Sequence, residues 1–123
     1  MLLDHRVTQL LIDASSFRFQ TWSLDASAEI RCNAPFRLRQ ASGAERVLDP
    51  RATETLAPVL TLLQRRIESL TITRRGGLTA SFGGGLSLTV EPHPRYEAWE
   101  IQGGGALEGM RYLCRVGGGS PWG

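Results

Sequence analysis

Apolar and polar residues alternate along much of this chain, and a two-residue period is the signature of strands with one buried face. Arg6 to Asp13 is rich in Val, Leu and Ile, while Ser16 to Trp22 carries Phe17 and Phe19 on one face. These segments predict two strands joined by a tight turn at Ala14-Ser15. Asp25-Ala26-Ser27 breaks the pattern, after which Ala28, Ile30 and Cys32 alternate with Glu29 and Arg31 in a third strand. Phe36 and Leu38 continue the alternation beyond Pro35, which suggests a bulge or a sheet edge because proline cannot donate to a ladder. The first third therefore predicts a meander.

A polar connection from Gln40 to Glu45 leads to the one segment with helical spacing. Asp49-Pro50 suits a helix start, with Asp as N-cap and Pro at the first helical position. Leu56, Val59, Leu60, Leu63 and Ile67 then recur at helical intervals, and Arg65 and Arg66 fall in the last turn, where cations favour the dipole. Pro58 would kink a helix begun at Asp49; a start at Thr55 would put that proline near the first turn. The predicted helix lies within residues 51 to 67, with its first turn open.

A second meander follows. Leu70 and Ile72 alternate with threonines, Arg74-Arg75-Gly76-Gly77 turns, and Leu78 to Phe82 returns. Gly83-Gly84-Gly85 turns again before Leu86, Leu88 and Val90, since hairpin turns need positive φ and glycine adopts it freely. Glu91-Pro92-His93-Pro94 ends the run. Tyr96 to Ile101 and Met110 to Val116 are further strand candidates on either side of Gly103-Gly104-Gly105, and Gly117 to Gly123 reads as a loose tail apart from Trp122. The expected fold is a single α+β domain over residues 1–123: two antiparallel meanders flank one main helix, which packs on the sheet or on a partly closed barrel.

Composition narrows the function more by exclusion than by indication. The chain has 123 residues, enough to bury a core without metals or disulfides. Its net charge of +2 is too small to argue for nucleic acid, and every cation is arginine. The absence of lysine fits either the codon bias of a GC-rich genome or selection against amine modification. No apolar run approaches the roughly 20 residues that span a bilayer, and the first residues lack the apolar stretch of a signal peptide. A cytoplasmic protein with Cys32 and Cys114 as free, packed thiols is expected.

The chemical motifs are incomplete. A Walker loop requires lysine, and Gly103 to Gly109 lacks both the Rossmann glycine spacing and a following helix pattern. His5, His93, Cys32 and Cys114 are scattered singly, so neither a metal site nor a cofactor is expected. No Gly-x-Ser-x-Gly elbow is present, and no catalytic residue is assigned. Arg37 and Arg39 share a strand face, and Arg6 and the Arg74-Arg75 turn are candidates for another, but no aromatics interleave with them, so nucleic acid is a weak alternative.

The most distinctive segment is Pro92-His93-Pro94-Arg95-Tyr96-Glu97-Ala98-Trp99-Glu100-Ile101. As a strand it puts Glu97 and Trp99 on one face and Tyr96 and Glu100 on the other; as a helical turn it clusters Tyr96, Trp99 and Glu100. Trp99, with Phe17, Phe19 and Phe82, is assigned to the core; Tyr96, Glu97, Glu100 and His93 are assigned to partner binding. The Leu78–Val90 hairpin, this Tyr-Glu-Ala-Trp-Glu stretch, the Gly-Gly tail and the opening Leu3-Asp4-His5-Arg6-Val7 resemble a family of small uncharacterised bacterial domains with no established activity. By looser analogy, such endings are similar to immunity-type proteins of bacterial toxin systems. The leading expectation is a non-enzymatic protein-interaction module, monomeric or self-associating. The alternative is a small-ligand binder or enzyme that uses the same four residues in a pocket between sheet and helix.

Overall fold

The structure, a computed structural model, describes residues 5–114 and Gly117. It contains ten strands: β1 (Arg6–Ile12), β2 (Phe17–Ser23), β3 (Ala26–Cys32), β4 (Phe36–Arg39), β5 (Glu45–Leu48), β6 (Ile67–Ile72), β7 (Leu78–Phe82), β8 (Leu86–Val90), β9 (Trp99–Gly105) and β10 (Arg111–Leu113). They form two five-stranded antiparallel sheets, ordered β1-β2-β3-β9-β10 and β5-β4-β8-β7-β6.

The two sheets pack through their apolar faces. Phe17 and Phe19 on β2, Ile30 and Cys32 on β3, and Trp99 and Ile101 on β9 are buried on the first sheet. Phe36 and Leu38 on β4, and Leu78, Ala80, Phe82, Leu86, Leu88 and Val90 on the β7–β8 hairpin, are buried on the second. The Phe17 ring stacks on Phe36 at 5.6 Å between centroids, and Phe19 meets Phe82 edge-on at 5.9 Å. The buried Trp99 indole donates from Nε1 to the Gly76 carbonyl at 2.7 Å, tying β9 to the β6–β7 turn of the other sheet. Along one edge the sheets are spliced: Val7 N donates to Arg65 O, Gln64 N to Val7 O, and Ile67 N to His5 O.

The α+β expectation is corrected by this architecture, in which half of the described residues are in strands and only 9% are helical. The expected main helix is a short 3₁₀ helix, Thr53–Leu62. Its buried residues, Leu56, Val59 and Leu62, are spaced three apart, the period of a 3₁₀ helix rather than the 3.6 of an α-helix. Leu60 and Leu63, read from the sequence as part of the apolar stripe, are exposed. Ile67 belongs to β6, where it pairs with Phe82. Neither proposed cap holds: Ala52 precedes the helix without a side-chain bond, and Asp49 and Thr55 instead close a turn, with Asp49 N donating to Thr55 Oγ1 at 2.9 Å.

Three further readings change. Residues 45–48 form β5, which the polar connection concealed. Phe36 and Leu38 are not at an edge, because β4 lies between β5 and β8. The break at Pro35 instead marks the crossing from one sheet to the other. Gly103 to Gly105 are strand, paired with Ala28 to Ala26, so β9 completes the first sheet rather than turning there. The expected loose tail, with Trp122, lies outside the described residues except for Gly117.

Candidate binding surfaces

The outer face of the first sheet is built by the alternation that buries its inner face. With Phe17, Phe19 and Thr21 turned inward, Arg18, Gln20 and Trp22 must point out. Cross-strand register sets Ser27 opposite Trp22, Glu29 opposite Gln20, and Arg31 opposite Arg18. On the far side of β3, Gly104, Gln102 and Glu100 face the same three residues. Two adjoining depressions result, of about 240 and 320 Å³, with Glu29 and Gln102 lining both.

Charges on this face are mutually paired. The Glu29 carboxylate accepts from Arg18 Nη1 at 3.4 Å and from Gln20 Nε2 at 3.3 Å, and Arg31 approaches it at 3.9 Å. Glu100 accepts from Arg111 Nε at 3.0 Å. Such half-exposed pairs are each worth about 0–1 kcal/mol, so they orient side chains more than they stabilise the fold.

At one end of the face stands the β2–β3 hairpin tip. Ser23 pairs with Ala26, leaving Leu24-Asp25 as a two-residue turn. Leu24 has φ +51°, a position where hairpins favour glycine or asparagine, and it is 99% exposed. Beside it, Trp22 is 48% exposed.

The residues assigned to binding from sequence are divided between two places. The His93 ring packs on Tyr96 with centroids 4.5 Å apart, and the Arg51 guanidinium covers Tyr96 at 3.9 Å. Arg51 Nη1 also donates to the Asn33 carbonyl at 2.6 Å, and Arg95 N donates to His93 Nδ1 at 3.0 Å. Tyr96 and Glu97 line a shallow depression with Ser15, Asn33, Arg51 and Arg95. Glu100 is not among its lining residues; it lies on the outer sheet face with Arg111. The pocket-based alternative placed all four in one cavity; Tyr96 and Glu97 line one depression and Glu100 another. Trp99, Phe17, Phe19 and Phe82 are buried in the core.

The chain belongs to a family of unknown function, DUF6188, whose family model matches residues 2–122. No curated protein and no solved structure matches it.

The remaining candidate chemistry is packed away. Cys32 and Cys114 are buried and not disulfide-bonded, and burial pushes the Cys32 thiol up to about 12 and raises that of Cys114. His5 is buried against Thr21, Nδ1 to Oγ1 at 3.0 Å, and desolvation holds its pKa below the ordinary value. Among the described residues no three His, Cys, Asp or Glu side chains converge as metal ligands, and no helix is long and apolar enough to cross a membrane. Trp22 and Leu24 escaped the sequence reading although a signal was present: Trp22 is out of phase with Phe17 and Phe19, so it had to face away from the core.

Proposed function

We propose that this chain is a non-enzymatic binding module that recognises a protein partner through the outer face of its first sheet. Trp22 and Leu24 serve as the apolar anchor, and the Glu29 and Glu100 ion pairs form the polar surround. The observation that carries this reading is Leu24. A leucine at positive φ costs about 1–2 kcal/mol of backbone strain, and full exposure returns none of it through burial. Glycine would serve the turn better, so a partner that covers the side chain supplies a reason for leucine. Trp and Arg dominate the energetics of protein interfaces, and Trp22, Arg31 and Arg111 stand around the paired carboxylates.

Leu24→Asn tests it, because stability and binding should move in opposite directions. Asparagine tolerates positive φ, so the variant should be as stable as the wild type or more stable by up to about 1 kcal/mol. Partners captured from native lysate should be lost with Leu24→Asn and Trp22→Ala, and retained with Glu97→Gln. A destabilised Leu24→Asn with unchanged capture would make the leucine a fold element and refute the reading.

A further inference from the structure

We infer that the splice between the two sheets is a binding site for a tetrahedral, doubly charged oxyanion of the phosphomonoester type. The site is an open depression of about 330 Å³ lined by Arg6, Gln64, Arg65, Arg66, Glu68 and the Gly83-Gly84 backbone. Among the described residues its lining brings three guanidinium groups together with one carboxylate.

Four arginines elsewhere, Arg18, Arg31, Arg37 and Arg111, lie against carboxylates. Arg6 and Arg65 are held by backbone carbonyls instead. Arg6 Nη1 donates to Gln64 O at 3.1 Å, and Arg65 donates from Nε to Thr61 O at 3.1 Å and from Nη1 to Gly83 O at 3.5 Å. Carbonyl anchors hold each guanidinium without neutralising it, and most of its five N–H donors remain available. A fixed, unneutralised fork suits bidentate contact with phosphate oxygens.

The backbone is shaped to the same end. The Arg65 guanidinium approaches Gly84 through Nη1, and a Cβ at that position would clash with it. Gln64 is the second non-glycine residue at positive φ among those described, at +66°, and that kink delivers Arg65 and Arg66 from the 3₁₀ helix to the edge of β1. Arg6 is the cross-strand partner of Trp22, so the site adjoins the proposed partner surface but shares none of its anchor residues.

The test is a ¹H–¹⁵N NMR titration of the full chain at low ionic strength with phenyl phosphate, inorganic phosphate and a ten-residue oligothymidylate. Saturable shifts should be confined to the amides of residues 64–68 and 83–84 and to the Nε–H signals of Arg6 and Arg65. Phenyl phosphate affinity should fall at least tenfold in Arg6→Gln and in Arg65→Gln, and remain unchanged in Arg37→Gln. Arg65→Lys, which keeps the charge and loses the fork, should also weaken binding. A thermal melt on each variant establishes folding, and Arg6→Gln carries the test if Arg65→Gln is unfolded. Non-saturating shifts over all arginines, or equal affinity in Arg6→Gln, would overturn the site. Oligothymidylate binding tighter than phenyl phosphate through these arginines would overturn the ligand class in favour of nucleic acid.

Discussion

Trp99 carries two structural duties, and Trp99→Phe separates them. The indole is fully buried between the sheets, and its Nε1–H is bonded to the Gly76 carbonyl at 2.7 Å. Phenylalanine keeps most of the apolar contact but strands that carbonyl in the core. An unsatisfied buried acceptor costs about 1–3 kcal/mol. The smaller ring also leaves a void, although less than Trp99→Ala, for which about 3–5 kcal/mol is expected. A loss of about 2–3 kcal/mol follows for Trp99→Phe, which for a domain of this size lowers Tm by roughly 8–12 °C. Thermal unfolding followed by far-UV circular dichroism measures it without relying on the lost fluorophore. Trp22→Phe, at a half-exposed tryptophan, is the control and should change stability by no more than about 0.5 kcal/mol. If Trp99→Phe matched Trp22→Phe, the cross-sheet bond would contribute nothing to stability.

Desolvation holds the His5 pKa below its ordinary value near 6.5, so the unfolded chain binds more protons as pH falls below 6.5. Stability should be insensitive to His5 above that value and decline below it, and His5→Gln should flatten the decline when urea midpoints are compared at about pH 7.5 and about pH 5.5. Cys32 and Cys114 should ignore a thiol reagent in the native protein and titrate as two thiols per chain after unfolding without reductant. Gly43→Ala and Gly105→Ala both place a side chain at positive φ, but open space surrounds Gly43, whereas a Cβ on Gly105 would reach the Asp25 carbonyl. The first should cost about 1 kcal/mol and the second roughly 3 kcal/mol or more in chemical denaturation, and equal costs would show that the clash relaxes.

The sequence alone determined most of the strands of this protein. The alternation in Phe17–Trp22, Ala28–Cys32 and Leu86–Val90 is local, because a half-buried strand writes its two faces into successive residues. The glycine turns at 76–77 and 83–85 were legible for a similar reason, since the positive φ they require is a property of single residues. The fully buried Trp99 and phenylalanines were legible too, as large apolar side chains on the inward phase.

Only the tertiary structure decided the rest. Leu56, Leu60 and Leu63 fit a 3.6-residue period as well as Leu56, Val59 and Leu62 fit 3.0, and packing against the sheets chose the second. Gly103 to Gly105 read as a turn because nothing local shows that β3 waits beside them with unpaired backbone groups. The partition of strands into two sheets, with β9 and β10 returning to the first, depends on pairing across long stretches of chain. The same distance hid both proposed sites. Trp22 and Gln102 line one depression, and Arg6 and Arg65 another, only after the sheets have formed and joined, because proximity in space between distant residues is set by register and not by composition.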